Sequence, residues 1–258
     1  MRIFIKTVSF ILYAILFIQC EKEETDPNEN WIPGRKWEDT RDSHLYATIP
    51  IGDQIWMAEN ITYLPSVNNV QDGSEDEGYE DAPFYYVYDY DGTDTASAKA
   101  STYYKQFGVL YNCNAASTAC PDGWHLPSDG EWVDLEIYLG MTANKVFKDG
   151  NRGTDEGFRL KSTWGWNYLS WNDRYGNGSN ETGFTGLPGG SRFMDATSGL
   201  SLYRFGAIGY GGFWWTATKI VDTYGFSYRI RSMSYSDDKV GRYNDYSENA
   251  NSVRCIKD

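Results

Sequence analysis

The stretch Cys120–Trp132, which reads CPDGWHLPSDGEW, decides how this chain folds. It predicts a loop that ends in a helix start, because Ser128 and Glu131 have the spacing of a capping box. In that arrangement the Ser hydroxyl accepts a hydrogen bond from the N–H three residues on, and the Glu carboxylate accepts one from the Ser N–H. Pro127 disfavours helical geometry in the residue before it, so the helix cannot begin earlier.

An apolar stripe follows this predicted helix start. Trp132, Leu135 and Leu139 recur at intervals of three and four residues, which places them on one face of a helix. Gly140 then supplies a residue at which helices commonly end. We therefore predict one short, well-defined helix in this part of the chain.

The composition excludes a helical bundle and argues against a nucleic-acid partner. The 258 residues include 10 Trp, 21 Tyr and 26 Gly, a mixture typical of a loop-rich fold with an aromatic core. The length suits one domain of about 200 residues with extensions, or two small domains. The formal net charge of −13 describes a surface that repels phosphate backbones. We interpret the acidity as a solubility feature of an exported protein, with cation binding as the alternative.

The N-terminus resembles a bacterial lipoprotein signal peptide. Residues 1–19 combine a short basic segment with an apolar run that is too brief to span a bilayer, and the run leads directly to Cys20. The resemblance implies cleavage before Cys20 and a lipid anchor on that residue, which would attach the protein to a membrane. An uncleaved signal anchor is the alternative. Residues 20–36 are mostly polar and predict a flexible tether.

The residues just after Cys20 suggest where the anchored protein resides. Residues 21–24 read EKEE and resemble the surface-export signal of Bacteroidetes lipoproteins. The resemblance implies a protein anchored in the cell outer membrane and exposed to the medium.

The segment Gly123–Trp132 resembles the signature of the Fibrobacter succinogenes major paralogous domain, found in many secreted and surface proteins of Bacteroidetes and Fibrobacteres. It is also similar to a segment of the formylglycine-generating sulfatase-modifying family, which has a C-type-lectin-like fold. Further segments match the first family in the same order: Ile51–Asn60, Lys105–Asn112, Gly183–Arg192 and Gly212–Thr218. The resemblance covers residues 37–258 as a single-copy domain.

The resemblance implies an α+β, C-type-lectin-like fold that is rich in loops, with short antiparallel strands and one or two short helices. The residue patterns agree with short strands. Two β-prone runs, 45–49 and 54–57, flank a turn at Gly52 and predict a hairpin. Further strands are predicted at 85–88, 224–233 and 252–258, a weaker helix at 96–104, and an acidic surface loop at 66–81.

The four cysteines limit which disulfide bonds the chain can form. Lipidation of Cys20 would leave Cys113, Cys120 and Cys255 in an oxidising compartment, so at least one thiol stays unpaired. We predict a Cys120–Cys255 disulfide, which would tie the loop before the helix to the last strand, with Cys113–Cys120 as the alternative. The cysteines lack Cys-x-x-Cys spacing, and the sequence has only two histidines, so a zinc site is not indicated.

The sequence argues against an enzyme. Formylglycine-generating enzymes use a pair of cysteines, and this chain has no matching pair. His125 stands where the related enzymes carry an Arg, next to the helix start, so we predict a structural hydrogen-bonding role for it. The sequence contains no Gly-x-Ser-x-Gly, P-loop or His-Glu-x-x-His motif. A hydrolase with a carboxylate pair stays an alternative, because such partners need not be adjacent in sequence.

In C-type-lectin-like folds the long irregular loop usually binds ligands, which the resemblance places at residues 162–182. Four aromatic side chains there could stack on the apolar face of a sugar ring: Trp164, Trp166, Trp171 and Tyr175. The alternative is that some of them fill the core of the loop itself. Four residues could offer hard oxygen ligands to calcium: Asp173, Asn177, Asn180 and Glu181. The alternative for these is an Asn- and Gly-rich turn.

These observations predict a cell-surface lipoprotein whose non-catalytic domain binds a glycan or a surface protein. One alternative is a structural or assembly component of the cell envelope with no small-ligand site. The other is the hydrolase.

Overall fold

The computed structural model of the chain describes residues 36–73, 82–171, 173–197, 202–222 and 225–258. The predicted signal peptide (1–19), the predicted lipidation site Cys20 and the predicted tether up to residue 35 lie outside these ranges. None of the helices within them combines the length and the apolar character that a membrane crossing requires.

The described residues form fifteen strands and six short helices. The strands are β1 (Lys36–Asp39), β2 (His44–Ile51), β3 (Gln54–Met57), β4 (Tyr85–Tyr86), β5 (Leu110–Tyr111), β6 (Trp124–His125), β7 (Gly150–Arg152), β8 (Tyr168–Leu169), β9 (Arg174–Tyr175), β10 (Gly189–Asp195), β11 (Leu202–Ile208), β12 (Gly211–Asp222), β13 (Gly225–Ser234), β14 (Val240–Asp245) and β15 (Ile256–Lys257). The helices are α1 (Thr95–Ala100), α2 (Thr102–Phe107), α3 (Cys113–Ala116), α4 (Asp129–Tyr138), α5 (Ala143–Val146) and α6 (Glu156–Leu160).

A five-stranded antiparallel sheet in the order β1-β2-β3-β15-β6 joins early and late parts of the chain. Its strands β2 and β3 form the hairpin predicted from the sequence, with Gly52 in the turn at a φ of +63°. The last strand, β15, lies between β3 and β6. Ile256 pairs with Trp56 on one side and with His125 on the other.

A second sheet has six strands in the order β11-β10-β12-β13-β14-β7. Its centre is the long hairpin of β12 and β13, whose register shifts between Trp215 and Lys219. The strand predicted at 224–233 is confirmed from residue 225 onward as β13, and the matched segment Gly212–Thr218 lies in β12. β10 pairs with β12 in parallel at Gly190 and Gly212, whereas the other pairings in this sheet are antiparallel. The pairs β4–β5 and β8–β9 form two further small sheets.

The helix predicted after Pro127 is α4, and its capping box is confirmed. The Glu131 N–H donates to Ser128 Oγ at 3.2 Å, and the Ser128 N–H donates to Glu131 Oε2 at 2.7 Å. All three residues of the predicted apolar stripe are buried. Gly140 lies just beyond the helix with a φ of +100°, a conformation that glycine adopts without strain.

The predicted disulfide is confirmed. Cys120 and Cys255 are bonded, with their Cα atoms 5.8 Å apart. The bond joins the loop before β6 to the residue before β15. Cys113 is buried and outside any disulfide, and burial raises the pKa of its thiol to about 12.

Four buried aromatic side chains form the centre of one apolar cluster, which we call the aromatic core: Trp56, Trp132, Phe184 and Trp214. Each packs edge to face on the next, with ring centroids 5.0 Å, 5.5 Å and 6.0 Å apart along the series. Each comes from a different one of the matched segments quoted above, namely Ile51–Asn60, Gly123–Trp132, Gly183–Arg192 and Gly212–Thr218, so these four motifs meet in space. Each of the four motifs thus supplies one ring to the aromatic core.

Three sequence expectations need correction. The structure has six helices in its described ranges, not one or two, and it is mostly β. The weak helix expected at 96–104 is two helices, because Ser101 ends α1 and its hydroxyl then caps α2 by accepting from the Tyr104 N–H at 3.2 Å. The loop expected to be exposed at 66–81 includes the buried Val67, and residues 74–81 lie outside the described ranges.

Candidate binding surface

Residues 161–188, between α6 and β10, carry all eight side chains predicted to contact a ligand or calcium. This segment folds back onto α6. The Ser162 N–H donates to Gly186 O and the Gly178 N–H donates to Ser162 O, each at 2.9 Å. A Cβ on Gly178 would lie 2.2 Å from Phe158 O, so only glycine permits this approach. The loop therefore has a fixed base.

Trp166 belongs to that base and not to a ligand surface. Its relative exposure is 2%, and its indole Nε1 donates to Ser162 Oγ at 3.1 Å and to Gly186 O at 3.2 Å. The Lys161 ammonium lies 5.2 Å from the centre of its ring. The prediction that Trp166 stacks on a ligand is wrong, because its ring is enclosed by its own loop.

Trp164 is exposed, but its aromatic neighbour is Phe107 at the end of α2, with ring centroids 6.4 Å apart. Trp164 therefore packs against the end of α2. The other two predicted aromatic residues, Trp171 and Tyr175, lie together on the hairpin of β8 and β9 and its turn.

Five aromatic side chains form what we call the aromatic ridge: Tyr168, Trp171, Tyr175, Tyr210 and Tyr235. Trp171 and Tyr175 are 69% and 62% exposed. Tyr168 and Tyr175 pack edge to face across the hairpin at 5.3 Å. Tyr235 packs edge to face against both Trp171, at 6.0 Å, and Tyr210, at 5.0 Å.

Backbone hydrogen bonds join the three chain segments that supply the ridge. The Tyr235 N–H donates to Tyr210 O at 2.9 Å, and the Asn167 N–H donates to Gly209 O at 2.8 Å. A Cβ on Gly176 would lie 2.3 Å from Tyr235 O, so the hairpin and the β13–β14 turn are in close contact. The exposed rings are therefore mounted on an ordered backbone.

Charged groups flank the ridge. Arg174 pairs with Asp238 at 3.3 Å across the hairpin and the β13–β14 turn. Beneath them, Lys161 Nζ donates to Ser234 O at 3.0 Å and to Asp237 O at 2.9 Å. Burial lowers the pKa of Lys161 to about 8. The lysine thus holds the β13–β14 turn in place from below.

The four residues predicted to bind calcium have separate partners. Asp173 accepts from the Tyr168 hydroxyl, and Asn177 Oδ1 accepts from the Trp166 N–H at 3.1 Å. Asn180 hydrogen-bonds twice with Thr185, at 2.7 Å and 3.1 Å, and Glu181 pairs with Arg159. Within the described ranges, no group of three or more His, Cys, Asp or Glu side chains is placed to hold a metal ion. Calcium binding stays a prediction.

His125 has the structural role predicted for it. Its Nδ1 lies 2.6 Å from Asp258 Oδ1 and its Nε2 lies 2.7 Å from Glu131 Oε1. Partial burial disfavours the charged ring, but the hydrogen bonds with Glu131 and Asp258 outweigh that effect and raise the pKa of His125 above its usual 6.5. The imidazole links the start of α4 to the end of the chain.

Two converging carboxylates exist elsewhere, but arginines enclose them. Glu136 pairs with Arg231 at 2.7 Å and with Arg152 at 2.6 Å, and all three side chains are buried. Asp129 pairs with Arg231 and Arg242, each at 2.7 Å. Partial burial acts against ionisation of Asp129, but these arginines lower its pKa to about 2. The arrangement attaches α4 to the second sheet.

Sequence reasoning missed Tyr168, Tyr210 and Tyr235. Tyr168 had a local signal, because it faces Tyr175 in a short hairpin. The other two lie 35 and 60 residues beyond Tyr175 in sequence, since 210 − 175 = 35 and 235 − 175 = 60, and only the folded chain brings them together.

The fold and this surface define a mostly β, disulfide-bridged domain with an ordered, exposed aromatic ridge. The chain belongs to the Fibrobacter succinogenes major domain family, whose model matches residues 49–257. No curated protein and no solved structure matches the chain.

Proposed function

We propose that the protein is a lipoprotein of the cell surface whose non-catalytic, C-type-lectin-like domain binds glycans through the aromatic ridge. The observation that carries the proposal is Trp171, which is 69% exposed and yet held by Tyr235. Contiguous exposed aromatic surface is rare in soluble proteins unless it contacts a ligand or partner. The ridge presents four exposed rings in two contacting groups, Tyr168 with Tyr175, and Trp171 and Tyr210 around the partly buried Tyr235.

The chemistry of the ridge suits a sugar. One face of a pyranose ring carries mostly C–H groups, which pack on an aromatic face, while its hydroxyls need hydrogen-bonding partners at the edge. Trp171 and Tyr175 supply exposed rings, and Asp173, Arg174 and Asp238 supply polar groups beside them. Because backbone hydrogen bonds already fix the ridge, binding would order few side chains, which favours affinity.

Binding without catalysis is part of the proposal. The carboxylate of Asp173 accepts from Tyr168, and that of Asp238 pairs with Arg174. Both groups are thus engaged in positioning the hairpin. The converging pair Asp129 and Glu136 is held by arginines, and such pairing favours a structural use of the two carboxylates.

The cellular setting is proposed from the sequence. The basic and apolar segment before Cys20, the polar tether and the acidic residues around Lys22 support a lipid anchor in the outer membrane. The C-type-lectin-like fold is proposed from the similarity of Gly123–Trp132 to the sulfatase-modifying family. The mixture of short strands, short helices and a long loop at 161–188 supports it.

A glycan-array screen with the full-length protein, run with and without calcium, tests this function. We expect selective binding that persists in EDTA, and a loss of at least about tenfold in affinity for Trp171→Ala, as expected for the loss of one stacked ring. Tyr246→Ala is the matched control, because Tyr246 is 62% exposed, as Tyr175 is, but lies outside the ridge.

Other outcomes separate the alternatives. Binding that EDTA abolishes would place calcium at Asp173–Glu181 and make the metal essential. Equal losses in Trp171→Ala and Tyr246→Ala would rule out the ridge as the site. An absence of binding to every glycan would contradict the proposal and favour a protein partner or a structural role in the envelope.

A further inference from the structure

The two groups of rings in the aromatic ridge adjoin each other. Gly176 directly follows Tyr175 of the first group, and a Cβ on this glycine would lie 2.6 Å from the Cα of Tyr235 in the second group. The Gly176 N–H also donates at 2.9 Å to the carbonyl of Asn167, the residue before Tyr168. The rings therefore lie along one continuous surface.

This surface is open. Tyr168 and Tyr210 are 46% and 53% exposed, and the exposed fractions of Trp171 and Tyr175 are larger still. Tyr235 meets Trp171 and Tyr210 at interplanar angles of 76° and 86°, so neither of these rings is stacked on it. Sites that enclose a small ligand are concave. An open row of rings instead contacts a ligand along its length.

The ridge has more aromatic surface than one sugar can cover. A pyranose ring has two faces, so it packs against one or two aromatic side chains at a time. The ridge presents four exposed rings, and the two groups come from three segments of the chain. A ligand that uses both groups must therefore contain several sugars.

The charges beside the ridge disfavour an acidic ligand. Arg174 and Lys161, the cations that hold the hairpin and the β13–β14 turn, both lie beside Asp238, at 3.3 Å and 3.8 Å from its carboxylate. The exposed Asp173 adds a further negative charge. An acidic polysaccharide would bring its carboxylates or sulfates close to these groups, on a chain whose formal net charge is −13.

We propose that the ligand of the ridge is an internal segment of a neutral, linear polysaccharide, bound along both groups of rings at once. This inference rests on the glycan binding proposed above and specifies the class of glycan. Successive sugars of such a polymer repeat the same C–H surface, which suits rings that backbone hydrogen bonds hold in place. The second group of rings then binds a chain that the first already holds, so chain length increases affinity.

Isothermal titration calorimetry with the full-length protein tests the inference. The neutral probes are oligosaccharides of two and of six sugars from cellulose, mannan, xylan and amylose, and the acidic probes are hexamers of β-1,4-mannuronate and α-1,4-galacturonate. The mannuronate hexamer is matched to the mannan hexamer, because the two differ only in the carboxylates. We expect the best neutral hexamer to bind at least about thirtyfold more tightly than its dimer and than either acidic hexamer.

The salt dependence supplies a second readout. Binding of the neutral hexamer should change by less than about twofold between about 50 mM and about 500 mM salt, because screening acts on charges and the ligand has none.

Variants from the two groups show whether one chain covers both. Tyr175→Ala and Tyr210→Ala should each weaken the hexamer by about fivefold or more. Tyr246→Ala, an exposed tyrosine outside the ridge, should leave its affinity unchanged. Thermal unfolding verifies that each variant folds, and Tyr→Leu at the same position, which keeps apolar volume without a flat ring, replaces a variant that does not.

Four results would overturn this inference while glycan binding itself stands. They are equal affinity for dimer and hexamer, tighter binding of an acidic hexamer than of every neutral one, a loss confined to the variant of one group, and no binding of any neutral hexamer by a protein that binds other glycans on the array. An absence of binding to every glycan would contradict the proposed function, and the inference with it.

Discussion

Contacts of single side chains explain why motifs that are far apart in the sequence meet in the folded protein. The aromatic core takes one ring from each of four segments, and Asn60 connects it to the backbone around it. Asn60 Oδ1 accepts from Trp214 Nε1 at 2.9 Å and from Arg254 at 2.8 Å, and its Nδ2 donates to Phe107 O at 3.0 Å. A buried amide with all of these partners fixes the orientation of the groups around it.

Among the residues of the aromatic core, we expect the removal of Phe184 to lower the free energy of unfolding most. Its ring packs against Trp56, Trp132 and Trp214, and the buried Arg254 guanidinium lies 4.2 Å from its centre. We expect Phe184→Ala to lower the free energy of unfolding by about 3–5 kcal/mol, through lost transfer energy and the cavity that remains. Urea unfolding followed by tryptophan fluorescence measures this.

Phe147→Ala is the control for that measurement. Phe147 is an exposed phenylalanine outside the aromatic core, so its removal should change the free energy of unfolding by less than about 0.5 kcal/mol. A similar loss for both variants would show that the aromatic core is not the source of stability.

Among the elements, α4 joins the two large sheets. His125 in β6 holds its first turn through Glu131, and Asp129 and Glu136 attach it to Arg231 of β13 and Arg242 of β14. Because removing these charges from water offsets much of their attraction, we expect the contacts to specify the position of the helix more than they add to its stability.

The contact of His125 with Glu131 and Asp258 should make stability depend on pH. The pKa of His125 is raised above 6.5 in the folded protein, so its contribution is fully present below about 6.5 and is lost as the pH rises through the higher folded value. Partial burial acts against ionisation of Glu131, but hydrogen bonds from Ser128 and His125 lower its pKa below 4.5. Its contribution is therefore present above about 4.5 and is lost as the pH falls through the lower folded value.

The measurable result is a difference between the wild type and His125→Gln. The variant should lose more stability at pH 5.5 than at pH 9, as followed by chemical unfolding at a series of pH values. His44 pairs with Glu59 at 3.3 Å, and the hydrogen bond to Glu59 raises its pKa as well, so His44→Gln should show a pH dependence in the same direction as a second, independent case. A loss for His125→Gln that is equal at all pH values would mean that the ring acts as a neutral hydrogen-bonding group.

Helices and turns could be predicted from the sequence where a few adjacent residues determine the backbone geometry. The capping box of α4 and the turn at Gly52 are such cases, and both were predictable. The helices α1 and α2 have only six residues each, which is too short for an apolar period to appear. The side chains of Asp94 and Ser101 cap their starts, but a capping residue alone does not predict a helix when no apolar stripe follows it.

At the scale of the whole molecule, the last strand completes the first sheet. β15 lies between β3 and β6, and the Cys120–Cys255 bond holds the chain just before it. The Ile61 N–H also donates to Val253 O at 2.9 Å, which extends the contact between early and late segments. The domain therefore cannot form its first sheet until its C-terminal residues are present.

Removal of the disulfide should destabilise the protein substantially. The bond spans 135 residues, and the chain-entropy model assigns about 4 kcal/mol or more to a closed loop of this size. We expect the double variant Cys120→Ser, Cys255→Ser to unfold at a clearly lower urea concentration than the wild type. Reduction of the wild type should reproduce the effect.

Peptide mapping of the unreduced protein provides the check. Cys120 and Cys255 should appear as a linked pair, and Cys113 should react with an alkylating reagent only after unfolding, because it is buried with a raised thiol pKa. Linkage of Cys113 to Cys120 would contradict the assignment.

The candidate site was less predictable than the core, because its residues come together only in the folded chain. The sequence predicted that aromatic side chains of the loop at 162–182 are available to a ligand, and Trp171 and Tyr175 do lie on its surface. It could not separate Trp166 from Trp171, since the burial of Trp166 depends on Ser162 and on the carbonyl of Gly186, 20 residues away.

The family match begins in β2 and ends in β15, two strands of the first sheet that are separated by β3 alone: Ile49 pairs with Trp56 of β3, and Trp56 pairs with Ile256. The two ends of the unit are therefore about 10 Å apart, two strand spacings, and such a unit can be inserted into a surface loop of another protein with little separation of the flanking chain. It can also be circularly permuted through a short linker. The geometry of the first sheet thus suits a module that is moved between genes as a cassette.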